Sequence, residues 1–266
     1  FKALVFPEAF QDVVVSDDTS PSLDVLQLDW RSRHVEGLQQ ANLRNLLEER
    51  LDKYQLSPTH LTTFIDLEYA GPQRFFFNTL LRFPEAPGLD GQFGNAIHET
   101  LEWLQYQVTE KGVLPPTKAI TAQFEANLKA KKIIESQFPI QLERGTHALN
   151  AFIKKHGSQY KPTDRAEVNF KNENVFVGPA HLAGKIDRME IDKHNKTITV
   201  VDYKTGKSYE KWESIPKLHR YRLQLYCYKI LIEKSRSFAG YKVSSGRLMF
   251  VEPDATGQVH SLELNF

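Results

Sequence analysis

Gly184-Lys185-Ile186-Asp187-Arg188 and Val201-Asp202-Tyr203-Lys204-Thr205-Gly206 flank the polar turn Lys193-His194-Asn195-Lys196, and the reading of this stretch decides the fold. Apolar and polar residues alternate on either side of the turn, the pattern of a β-hairpin. If the hairpin turns symmetrically about His194-Asn195, cross-strand partners have numbers that sum to 389, and Asp187 faces Asp202. Paired Cβ atoms lie roughly 4.5–5.5 Å apart in such a ladder, and like charges there are destabilising. Lys204 lies two residues beyond Asp202 and shares its face. Met189, Ile191, Ile198 and Val200 make the rest of that face apolar. Two acids and a lysine thus continue a buried stripe, where unpaired charge is expensive. A hard divalent cation bound by both carboxylates, Mg²⁺ or Mn²⁺, resolves the clash. So does an Asp–Lys ion pair at the end of an amphipathic hairpin, and the hairpin alone does not choose between them. With only the two carboxylates in view, Asp187→Ala and Asp202→Ala each remove a clash and leave the fold intact.

Working outward, strands are expected over 166–170, 182–191 and 197–203, then a long helix over about 216–234, then strands over 247–251 and 259–264. Upstream the chain reads as helices. Residues 42–54 carry leucines at helical spacing, Ser57-Pro58 is an N-cap with proline at the first position, and Gly71-Pro72 ends that helix before another begins over 73–81. A loop over 84–91 precedes the stripe Phe93, Ile97, Leu101 and Leu104, and two more helices over 117–138 and 140–156 are separated by Pro139. Residues 1–30 read as short strands and loops, with Val13-Val14-Val15 and a turn before Pro21. The fold class is α/β with a mixed sheet, helical in its first half.

At 266 residues with 41% apolar and 25% charged residues, the chain can fill a core. No window approaches 18 uninterrupted apolar residues, so no membrane span is expected. Cys227 is the only cysteine, which excludes an internal disulfide and a cysteine-held zinc or iron–sulfur site, and makes a cytoplasmic location the simpler reading. The start at Phe1 lacks Met and a signal pattern, as expected for a domain cut from a longer protein. Residues 1–60 carry six Lys/Arg against ten Asp/Glu, so a net charge of +1 leaves +5 on the remainder. Lys204, Lys207, Lys211, Lys217, Arg220 and Arg222 stand against only Glu210 and Glu213. Such a stretch suits a polyanion or a solvated helix face equally well. The segment from Gly178 to Lys185 imitates a phosphate-binding loop but has five intervening residues instead of four and Ile186 where Ser or Thr is needed, so no ATP site is expected.

His98 follows Gly94 by one helical turn, and a glycine there lets another chain or a ligand come close. Gln224 and Tyr228 share a face of the later helix. In order, Leu56-Ser57-Pro58-Thr59, Gly71-Pro72-Gln73-Arg74-Phe75, Gly94-Asn95-Ala96-Ile97-His98, Glu167, Gly184-Lys185-Ile186-Asp187-Arg188, Asp202-Tyr203-Lys204-Thr205-Gly206 and Gln224-Leu225-Tyr226-Cys227-Tyr228 span residues 56–228, within a resemblance that covers about 56–251. The set resembles the RecB-type nuclease branch of the PD-(D/E)XK superfamily.

That resemblance implies a restriction-endonuclease-like mixed sheet flanked by helices over 56–266, with 1–55 as an extension or linker. It implies metal binding by His98, Asp187, Asp202 and the Tyr203 carbonyl, with the softer His98 tilting preference towards Mn²⁺. Lys204 orients the attacking water and stabilises charge, Gln224 and Tyr228 support the site and the DNA, and Glu167 matches a glutamate on the preceding strand. Lys207 and Lys217 are the candidate DNA contacts, while Arg222 falls off the helix stripe and is expected to be solvated. Relatives with Cys-Pro in place of Gly71-Pro72 hold an iron–sulfur cluster, so none is expected here, and this weakens a stand-alone exonuclease of CRISPR adaptation. The implied function is DNA phosphodiester hydrolysis, as an exonuclease module attached to a helicase in repair or recombination. The alternative is a degenerate nuclease fold that only binds DNA or scaffolds a helicase, against which the intact His98, Asp187, Asp202 and Lys204 argue.

Overall fold

The computed structural model describes residues 47, 48, 50–67, 71–83, 85 and 88–266. The strands and turn expected within 1–30, and much of the helix expected over 42–54, lie outside them. Two compact units divide the chain, Phe1–Lys53 and Tyr54–Phe266, and every element below belongs to the second.

A short strand β1 (Gln55–Leu56) leads into α1 (Pro58–Ile65), where the Ser57 hydroxyl accepts the His60 N–H at 3.1 Å and Pro58 opens the first turn. The first helix ends at Ile65, before Gly71-Pro72, which starts the next one instead: α2 (Gly71–Arg74) runs straight into a π-helical segment, Phe75–Leu80. In α3 (Leu89–Lys111), Phe93, Ala96, Ile97, Leu101, Leu104 and Val108 form the buried stripe, and Gly112 ends the helix at φ 72°. Next come α4 (Thr117–Ala130) and α5 (Phe138–His156). Pro139 does not separate two helices as expected. It sits in the first turn of α5, where its missing N–H costs nothing, and the break falls after Ala130.

The larger sheet has the order β2-β5-β6-β7-β8, from β2 (Arg165–Asn169), β5 (Lys185–Asp192), β6 (Thr197–Lys204), β7 (Lys242–Phe250) and β8 (Ser261–Asn265). All its pairs are antiparallel except β6 with β7, whose parallel pairing uses the crossover α6 (Pro216–Lys234). Val201, Tyr203, Met249 and Val251 face α3, α4 and α5 in one core, while Ile198, Val200, Leu248 and Phe250 face α6 in another. This is the mixed α/β architecture expected, with a helical first half.

A smaller sheet, β1-β4-β3, pairs β1 with β4 (Ala180–Leu182) and β4 with β3 (Val175–Val177). The strand expected over 182–191 is therefore two strands in different sheets. Gly184 marks the crossing: a Cβ there would meet Leu231 at 2.6 Å and Pro58 at 3.3 Å, so no side chain fits where the chain passes under α1 and α6. The imitation phosphate loop is this β3–β4 turn, followed by strands and not by a helix. Among the described residues no helix is long and apolar enough to cross a membrane.

Candidate active site

The β5–β6 ladder runs from Arg188 opposite Val201 to Asp192 opposite Thr197, and every pair sums to 389 as the symmetric turn requires. Regular pairing stops there, one position short of Asp187 and Asp202. Asp187 instead bends its Oδ2 to accept the Tyr203 N–H at 2.8 Å. On the other side β2 pairs with β5 from Arg165 opposite Met189 to Asn169 opposite Lys185. Glu167 occupies the position opposite Asp187, with φ at +53°. A non-glycine residue held there costs on the order of 1–3 kcal/mol, and such strain concentrates at functional sites.

His98 reaches this point from α3, its Nδ1 3.4 Å from Asp187 Oδ2. One donor atom each from His98, Glu167 and Asp187 lies within 4.8 Å of the other two. Gly94 lets α3 come close: a Cβ there would press on the Thr205 hydroxyl at 3.1 Å. Glu252 accepts the Gly206 N–H and pairs with Arg144 at 2.7 Å, which pins the chain just after Lys204.

Asp202 belongs to an adjoining network. Gln224 Nε2 donates to its Oδ1 at 2.9 Å, and the Tyr228 hydroxyl donates to the same oxygen at 3.2 Å. Lys204 Nζ lies 2.6 Å from Oδ2 and donates to Gln224 Oε1 at 2.9 Å, 4.4 Å from the Tyr221 ring centre. Only 1% of Asp202 is exposed, and Oδ2 has the lysine as a charge partner but no aligned hydrogen bond. A buried carboxylate oxygen left in that state has room for one more positive partner.

The electrostatics agree. Burial pushes the Asp202 carboxyl up, Lys204 opposes that, and the charge of Asp187 raises it further. Asp187 is also pushed up by burial, but its hydrogen bond and charge pairing with His98 bring it below the usual range. Burial lowers the His98 imidazolium while Asp187 raises it, and the net shift is upward. Glu167 is raised by burial despite its ion pair with Lys185. Three acids held together with opposed shifts are what a site for a cation presents when only protons and side chains share the charge. The donor set of the cluster, two carboxylates and an imidazole with Asp202 beside it, is of the oxygen-rich kind that suits Mn²⁺ or Mg²⁺.

Of the ligands implied by resemblance, His98 and Asp187 are brought together, Asp202 stands beside them, and Tyr203 is joined to Asp187 through its backbone N–H. Glu167, not among those implied ligands, lies in the same cluster as His98 and Asp187. The signal was the β2–β5 register, which places Glu167 opposite Asp187 but cannot be derived without knowing where β2 turns. Tyr228 is buried with its hydroxyl on Asp202, so it supports the site from within. Arg222 is only partly solvated: it is half-buried and lies over the Trp212 ring at 4.7 Å with Nε buried. A second cluster, Glu210, Asp254 and His260, organises a loop, since Asp254 already accepts from Thr256, Gln258 and His260.

The model of the PD-(D/E)XK nuclease superfamily matches residues 55–264. The chain belongs to that superfamily. No curated protein matches the chain. In this superfamily chain the acids and lysine of the hairpin stand at the open end of β5 and β6, between the α3 and α6 layers.

The strain at Glu167 supplies a test. Glu167→Gly relieves the left-handed backbone and gives up an ion pair to the half-exposed Lys185, which is worth little. Metal-free protein is expected to melt at the same or a higher temperature than wild type while DNA cleavage falls sharply. A lower melting temperature with full cleavage would show that Glu167 serves the fold alone.

Proposed function

We propose that the chain is a metal-dependent deoxyribonuclease whose metal centre is formed by His98, Glu167, Asp187 and Asp202, with the Tyr203 carbonyl added by resemblance to RecB-type relatives. The observation that carries this reading is the meeting of His98, Glu167 and Asp187 donor atoms beside the under-satisfied Asp202. A divalent cation bound there supplies an acidified water and neutralises charge on the scissile phosphate. Asp202 Oδ2 and Gln224 Oε1 fix the Lys204 ammonium beside that centre, where it stabilises negative charge that grows during hydrolysis. Gln224 and Tyr228 orient Asp202 by donating to Oδ1, which leaves Oδ2 to Lys204 and, were a cation bound, to that cation. A metal cation sharing their charge would make it easier for the two carboxylates of the hairpin to stay ionised together.

An exonuclease module attached to a helicase motor, acting in repair or recombination in the cytoplasm, is the biological setting we infer. Its support is the resemblance of the ordered motifs. Digestion of linear DNA is expected to require Mg²⁺ or Mn²⁺ and to stop in EDTA. Cleavage that persists in EDTA would remove the metal from the reading.

Lys207 and Lys217 are the proposed phosphate contacts. Burial lowers the Lys217 ammonium, and the charges of Arg220, Lys204 and Lys207 lower it further, so the four cations share one positive region. Lys217→Ala is expected to weaken DNA binding in Ca²⁺ and to reduce the salt slope by about 0.9. Arg222→Ala should leave that slope unchanged and lower the melting temperature, because it strips the face of Trp212. Equal slopes for wild type and Lys217→Ala would place the DNA on another surface.

A further inference from the structure

Tyr203 lies between Asp202 and Lys204 in sequence, yet its side chain points the opposite way, into the α3–α5 layer. It is 3% exposed. Its backbone N–H holds Asp187 Oδ2 at 2.8 Å. Its ring meets the His98 ring edge-on, with centroids 6.0 Å apart and planes at 87°, and meets Phe152 edge-on at 5.8 Å. One residue therefore touches two of the proposed metal ligands, one through its backbone and the other through its ring.

The far end of Tyr203 is anchored as well. Its hydroxyl shares a hydrogen bond with the Tyr160 hydroxyl at 2.8 Å and accepts from Arg188 Nη1 at 3.4 Å. Arg188 has no exposed surface, which is costly for a guanidinium unless its surroundings are built for it. Here it lies 4.2 Å from the Tyr160 ring centre and pairs with Glu190, which also holds Arg247 at 3.1 Å. Arg188 directly follows Asp187, so the same turn of β5 sends the acid to the metal side and the base to this anchor.

We propose that the Tyr203 side chain is a positioning element for the metal centre, held in place by Tyr160 and Arg188. The proposal rests on the metal reading above. Through it, the buried Arg188–Tyr160 pair fixes the rotation of Tyr203, which sets the distance between His98 and Asp187. Partners that orient metal ligands from behind cost about 10–100-fold in metal affinity when removed.

The test is Mn²⁺ binding by titration calorimetry on wild type, Tyr160→Phe, Tyr203→Phe and Tyr203→Leu, with melting temperatures in metal-free buffer. The two Phe variants remove only a hydroxyl, and each is expected to weaken Mn²⁺ by about tenfold or more. Cleavage by Tyr160→Phe should approach the wild-type rate once Mn²⁺ is saturating. Tyr203→Leu also removes the ring beneath His98 and should weaken Mn²⁺ further. A purely structural role would lower the melting temperature and leave Mn²⁺ affinity within twofold of wild type, and that result would overturn the proposal alone. Wild-type protein that binds no Mn²⁺ would overturn the metal reading and this proposal together.

Discussion

Asp187→Asn is expected to reduce DNA cleavage by on the order of a thousandfold or more. The substitution keeps the shape of the side chain and an oxygen for the Tyr203 N–H, but it removes the charge that draws both His98 and a cation. A bound metal contributes several kcal/mol of transition-state stabilisation, and each loss of about 1.4 kcal/mol is tenfold in rate. Asp202→Asn should lose cleavage as fully, with a different effect on the fold. Considered as two facing acids, either carboxylate looks dispensable for folding. The structure changes that expectation for Asp202, because its removal strands the Lys204 ammonium at a buried position. Breaking a buried pair from one side costs about 3–5 kcal/mol. Asp202→Ala is therefore expected to melt well below wild type, while Asp187→Asn melts close to it. Thermal melts of the metal-free proteins beside single-turnover assays check both halves. Wild-type turnover in Asp187→Asn would remove it from the chemistry.

Lys204→Ala is expected to lower the single-turnover rate by about 10²–10³ while Mn²⁺ still binds. Burial lowers the lysine, but Asp202 outweighs this and holds it charged and above its ordinary range. Its ammonium is thus present throughout the neutral range. Without it, Asp202 loses its charge partner, and a buried carboxyl already pushed up by burial takes a proton more readily. Metal competes with that proton, so metal affinity in the variant should recover as pH rises, whereas the rate deficit should persist. A variant whose rate is fully restored by saturating Mn²⁺ would make Lys204 a structural counter-charge.

The hairpin was legible because its turn is short and polar, its flanks alternate, and strict period-two geometry leaves one register. That register holds from Arg188 opposite Val201 to Asp192 opposite Thr197 and stops one pair short of Asp187 and Asp202. The helix carrying Gln224 and Tyr228 was legible for the same kind of reason, since i and i+4 must share a face. What could not be read is contact across long separations. Glu167 reaches the site through a β2–β5 register set by a long connection containing β3 and β4. The break between β4 and β5 was hidden because Gly184 sits inside an apparently continuous strand, and its reason lies in Pro58 and Leu231. Arg222 misled because helical spacing reports only neighbours on its own helix, while Trp212 comes from the preceding loop. The sequence alone carries no reading of Arg188, and only the sheet shows it buried against Tyr160 and Tyr203.

The most direct measurement is single-turnover cleavage of an end-labelled linear DNA across a Mn²⁺ series, run in parallel on wild type and Asp187→Asn. The account predicts no wild-type cleavage without added metal, a saturable rise with Mn²⁺, and a variant that remains inactive or on the order of a thousandfold slower at the highest Mn²⁺. Superimposable Mn²⁺ curves for the two proteins, or cleavage by wild type in metal-free buffer, would contradict it.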